Sequence, residues 1–162
     1  LVHEATHQLA FNSGLSRRLA DNPMWLTEGL AVYFEAPDLR SRTGWRTAGR
    51  LHPLRLARFK QYVLEHRGPG SLKSLVAGDA RFRDVTAAPD AYAEAWALSF
   101  YLIRARRKDY VEYLKRIAAK PLLKWDTAES RIADFEAVFG DNWELLDRRF
   151  LGYIGRQRIR RR

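Results

Sequence analysis

The sequence contains no cysteine. That excludes a disulfide framework and a thiolate metal site, so a metal here would have to be held by histidine and carboxylate, and the redox compartment stays unread. Also missing is any run of about 20 uncharged apolar residues, the length a helix needs to span a bilayer. Even the most apolar stretch, AYAEAWALSFYLI, carries Glu94 in its middle, so no membrane span is expected and a soluble domain is. Histidine is scarce, four among 162 residues. There is no internal repeat and no convincing period-two alternation of the kind a half-buried strand shows.

What is present suffices for a core. Apolar residues make up 46% of the chain and aromatics 12%, enough at this length for one domain with disorder only at its ends. The formal charge is +10, carried mostly by arginine. The last residues, RQRIRRR, read as a solvated basic tail over 156–162. A basic surface favours acidic partners, nucleic acid included. These cations are scattered over many segments without the interleaved aromatics of a single-strand binding groove, so nucleic acid is not the expected partner. The chain opens on Leu1 rather than methionine with no signal peptide before its first motif, which reads as a piece of a longer protein.

Breakers and caps divide the sequence into helices. One is expected over about 1–13, ending near Asn12, Ser13 and Gly14; a second starts at Asn22 as cap with Pro23 in the first helical position, and runs to Glu35 before Pro37 stops it. Residues 38–52 read as a loop. PLRLARFKQYVLEH from Pro53 is amphipathic to about Arg67, where GPG closes it. A short apolar turn at Leu72–Val76 and an irregular basic segment to Ala88 precede a strong helix from Pro89 to about Arg106, with Trp96, Phe100 and Ile103 as its core stripe. Another helix, YVEYLKRIAAK, ends at Pro121. Asp126 with Glu129, and Asp141 with Glu144, read as capping boxes opening two final helices. The fold class is mainly α, a single helical domain over 1–155.

The chemistry concentrates in the first two helices. In LVHEATHQ, His3 and His7 come to one face a turn apart, with Glu4 beside the first. Catalytic zinc keeps three protein ligands and an open position, so a third ligand must come from elsewhere. WLTEGLAVYF carries one charge, Glu28, on a helix apolar around most of its circumference; a carboxylate buried there needs a cation or donors. Gly29 and Ala31 are small enough to let this helix approach the first, and residues 14–22 are long enough to fold it back antiparallel. The three-histidine pattern HExxHxxGxxH fails, because Ala10 and Ser13 hold its glycine and third histidine positions. Glu28 is the better third ligand.

HEATHQ followed by WLTEGLAVYFE resembles the gluzincin metallopeptidases, with HExxH on one helix and a glutamate ligand on the next, as in thermolysin-like and aminopeptidase-like enzymes. It is especially similar to an uncharacterised bacterial group of the peptidase-MA-like superfamily. Twenty residues separate His7 from Glu28, close to that family's spacing. YAEAWALSFYLI is similar to the YxxG helix of the aminopeptidase branch, with Ala95 where that branch has glycine. The resemblance covers residues 1–103. It implies the helical part of a zincin catalytic domain whose upstream β-sheet subdomain is missing, one bound Zn²⁺, a peptide or protein substrate, Tyr92 as oxyanion donor, and export from a bacterial cell.

The expected site is therefore metal ligands His3, His7 and Glu28 with Glu4 and Tyr92 catalytic. Beside each stands a plainer reading: solvated helix histidines, a surface Glu4, and Tyr92 as core packing at a helix start. Glu35, seven residues after Glu28 on the same face, could orient a ligand histidine but reads more simply as a helix-end surface charge. Nothing places His52 or His66 at the metal. The rival to a peptidase is a non-catalytic zincin-like or basic binding module for an anionic partner. Bond preference and oligomeric state are not legible.

Overall fold

The computed structural model describes residues 2–36 and 48–158. Leu1, Pro37, residues 38–47 of the expected loop and 159–162 of the basic tail lie outside the described residues. The described chain is helical without strands, in the order α1 (Val2–Asn12), α2 (Met24–Phe34), α3 (Pro53–Glu65), α4 (Ser71–Ala77), α5 (Ala80–Arg83), α6 (Ala88–Ala105), α7 (Arg107–Ala118), α8 (Ala128–Phe139) and α9 (Trp143–Gly155).

α6 is the axis of the fold. Pro89 suits its first turn, where a missing N–H costs nothing. From Asp90 to Leu102 nearly every residue is buried, including the expected core residues Trp96 and Phe100. A helix apolar on all sides is covered on all sides: α2, α3, α5, α7, α9 and α4 pack around it. Ala91, Ala93, Ala95 and Ala97 are fully buried, and their small side chains allow close approach. α2 takes that opportunity at Gly29, where a Cβ would lie 2.4 Å from Ser99 Oγ and 2.6 Å from the Ala95 carbonyl oxygen. The small residue thus serves the contact with α6, not the expected approach to α1. α1 packs on α2 from outside and buries only Ala10 fully.

Gly29→Ala is expected to force α2 off α6, because one of the obstructing atoms is backbone. Overpacking of this kind costs about 1–3 kcal/mol, more than the gain in helix propensity of about 1 kcal/mol returns. The thermal midpoint by circular dichroism should fall by several degrees; an unchanged or raised midpoint would mean that the two helices are not in this close contact.

Several local expectations are corrected. Asn22 does not cap α2: its amide donates to the carbonyls of Arg17 and Ala20, and the Met24 N–H donates instead to Asp79 Oδ1 at 3.0 Å. Thr127, not Asp126, caps α8 by accepting from the Ser130 N–H, and Asn142, not Asp141, caps α9 by accepting from Leu145. Leu72–Val76 belongs to helix α4, and the segment read as irregular contains α5. The tail is not wholly solvated at its start, since Lys60 Nζ donates to the Gln157 carbonyl at 2.8 Å.

Two buried ionic knots fix the frame. Arg131 of α8 clasps Asp21 and Asp79, with four contacts of 2.8–3.0 Å, tying the approach to α2 and the α4–α5 corner to the far end of the chain. Hydrogen bonds and charge from both carboxylates outweigh the cost of burial and hold the Arg131 guanidinium above its ordinary pKa. In the second knot the carboxylate of Glu94, on α6, meets Arg67 and Arg81.

Candidate metal centre

α1 and α2 run antiparallel, so the start of α1 meets the middle and the end of α2. His3 Nε2 lies 3.2 Å from Glu28 Oε2, and His7 Nε2 lies 3.5 Å from Glu28 Oε1. The two Nε2 atoms are 3.2 Å apart. These side chains are mostly shielded from solvent, and among the described residues they are the one group of histidine, aspartate and glutamate side chains close enough to share an ion.

Glu35 closes the arrangement. Its Oε2 lies 3.2 Å from His3 Nδ1, so the reading as a plain helix-end surface charge is corrected. A carboxylate accepts and does not donate, so in the tautomer with the His3 proton on Nδ1 the Glu35 contact is a hydrogen bond and the Nε2 lone pair faces Glu28 and His7. A proton on His7 Nε2 could satisfy one of the converging contacts; a cation satisfies them all. The donor set fits one in chemistry, two imidazoles and a carboxylate, and in size. Zinc bonds of about 2.0–2.1 Å in a tetrahedron set ligand atoms about 3.3 Å apart; here the two imidazole nitrogens are 3.2 Å apart and each faces a different oxygen of Glu28, at 3.2 and 3.5 Å.

Glu4 is exposed and lines, together with His7 and Glu28, a cleft of about 370 Å³ whose other walls include Phe11, Leu26 and Leu114. That is the size of a small-ligand site. Tyr92 stands near the start of α6, its ring edge-on to Phe82 at 5.2 Å and beneath the Arg55 guanidinium at 5.6 Å. Burial first, then the negative charge of Glu28 and a hydrogen bond to it, push the phenol above its ordinary pKa, while Arg55 pulls the other way. Its hydroxyl therefore stays protonated, within electrostatic reach of Glu28.

The four expected residues of α1 and α2 and Tyr92 are thus neighbours. His52 and His66 are elsewhere: His52 caps α3, accepting from the Arg55 N–H on Nδ1, and is buried edge-on to Trp96. Burial and then Arg55 lower its pKa. His66 pairs with Asp90 at 2.8 Å. Arg55, stacked over Tyr92, is the residue of this region that sequence reasoning missed; its place in the first turn of α3 carried no signal.

No curated protein and no solved structure matches the chain. Residues 1–124 match the profile of a family described as a protein of unknown function, DUF1570. That span contains α1 through α7 and every residue of the cluster, and the chain belongs to this family.

Proposed function

We propose that the chain carries the centre of a zinc-dependent peptidase. The observation that carries this reading is the convergence of His3, His7 and Glu28 on one point at the edge of a cleft that Glu4 also lines. His3, His7 and Glu28 would hold the metal, and Glu35 would hold the His3 ring through Nδ1–H. When bound, zinc supplies Lewis acidity, making water more acidic and polarising a carbonyl.

The remaining chemistry falls to side chains. Glu4 takes a proton as a water oxygen bonds to the peptide carbonyl carbon, then returns it to the amide nitrogen as the C–N bond breaks. Tyr92 donates its hydroxyl hydrogen toward the carbonyl oxygen as negative charge develops there. The apolar residues of the cleft, Phe11, Leu26 and Leu114, take a substrate side chain.

Metal content by mass spectrometry after exhaustive dialysis tests the reading. One zinc per chain is expected, with essentially none in His7→Ala. Glu35→Gln retains a hydrogen-bond acceptor but loses the charge behind His3; its zinc affinity should fall by about 10–100-fold. A wild-type chain that takes up no zinc would remove the metal centre, and with it the peptidase.

A further inference from the structure

We propose that the loops at 13–23 and 119–127 together form a docking surface for an anionic lipid bilayer. The argument begins with two strained leucines. Leu19 has φ 63° and Leu123 has φ 60°, the two non-glycine residues with positive φ among the described residues. This left-handed conformation costs a β-carbon-bearing residue about 1–2 kcal/mol. The two are joined directly, the Leu123 N–H donating to the Leu19 carbonyl at 2.7 Å. Neither gains burial in return: Leu19 is 63% and Leu123 72% exposed.

Leu122 and Trp125, within two residues of Leu123, are exposed as well. Other exposed apolar residues, such as Leu54 and Leu64 near opposite ends of α3 and Val85 between α5 and α6, stand outside these two loops and call for no explanation. Here two strained loops present an apolar group side by side.

The charge around that group is one-sided. Arg17, Arg18 and Lys124 are exposed, and none has a carboxylate partner among the described residues. Arg17 reaches only the Lys120 carbonyl, and Arg18 lies over the Phe11 ring. The acids within the two loops are already neutralised: Asp21 by Arg131, and Asp126 by Lys120. Leucine and tryptophan that enter the acyl boundary, ringed by cations that meet anionic headgroups at about 1 kcal/mol each, are what a bilayer surface recognises. An acidic protein patch would use the cations and not the leucines; an apolar patch would leave three cations unanswered. Ser16 and Asn22 of the first loop also line the cleft, so docking would hold the cleft near the headgroups. The inference is independent of the metal reading.

Co-sedimentation of the chain with sucrose-loaded vesicles tests it, comparing phosphatidylcholine alone with phosphatidylcholine holding about 30 mol% phosphatidylglycerol. Binding to the anionic vesicles is expected, weakened by salt and at least roughly tenfold weaker for the double variant Leu19→Gly, Leu123→Gly. Glycine suits the left-handed backbone, so that variant keeps its thermal midpoint. Since a chain of net charge +10 clings to many polyanions, the leucine variant decides. No binding to anionic vesicles, or binding undiminished in the glycine variant, overturns the proposal. So does loss only on Arg17→Glu with Lys124→Glu, accompanied by equal retention on heparin, which would identify a polyanion instead.

Discussion

Glu4→Gln is expected to keep its zinc and to lose peptide hydrolysis by about a hundredfold to ten-thousandfold, the range over which a positioned proton acceptor contributes. The substitution isolates chemistry from structure. Glu4 is exposed and has no hydrogen bond or ion pair among the described residues, so an isosteric amide there should leave stability within about 0.5 kcal/mol. It is not among the three side chains that converge, so zinc content should not change. Tyr92→Phe should cost less, because it removes one donor to the developing negative charge and leaves the proton path through Glu4 intact. Turnover retained by the glutamine variant would sink the peptidase reading even if the metal binds. Metal lost from the variant would instead mean that Glu4 itself is a ligand.

The legible part of the molecule is the part written in short spacings. His3, Glu4 and His7 share one helix, and Glu28 betrays itself as the single charge in an apolar window; both facts are local, and the structure brings His3, His7 and Glu28 together. Glu35 was visible by its seven-residue offset from Glu28, but a position at a helix end gives no sign of whether a histidine from another helix waits there. One capping correction has a visible cause. Asp126 and Thr127 are both able caps, and what decides between them is that Lys120, on the other side of a turn, engages Asp126. α5 is not legible in sequence because four residues show no periodicity. Gly29 reads in sequence as an approach surface, but its partner, α6, lies some seventy residues away.

Charge misleads more. The arginine excess suggests a basic exterior, whereas Arg67, Arg81 and Arg131 are turned inward onto Glu94, Asp147, Asp21 and Asp79. Such pairs span up to 110 residues, and no window of sequence contains both members. What remains unpaired at Arg17, Arg18 and Lys124 is a better guide to partners than the total of +10.

Glu94→Ala should be the most destabilising single substitution considered, by about 3–5 kcal/mol, because it leaves cations in the interior without their counter-charge. Glu94 is fully buried. Its oxygens accept from Arg67 Nε and Arg81 Nη1, both at 2.8 Å, and from Ser71 Oγ. Arg81 also donates to the Tyr62 hydroxyl at 3.0 Å, which joins Ser71 at 2.9 Å, so one carboxylate gathers α3, α4 and α5 onto α6. Arg67 has a second anchor in Asp147 of α9, at 2.5 and 3.0 Å. Burial would lower its pKa, but the hydrogen bond to Asp147 and the charges of Glu94 and Asp147 hold it above the ordinary value. Without Glu94 that balance fails for Arg67, and Arg81 loses its carboxylate altogether. The loss should reach the site, for Tyr92 lies two residues before Glu94 on the same helix, and zinc affinity measured below the unfolding transition should weaken less than stability does. Urea unfolding is the measurement. Pairing Glu94→Leu with Arg81→Met, which removes a cation along with its partner, should recover part of the deficit. If the double variant is no more stable than Glu94→Ala, shape rather than charge governs this junction.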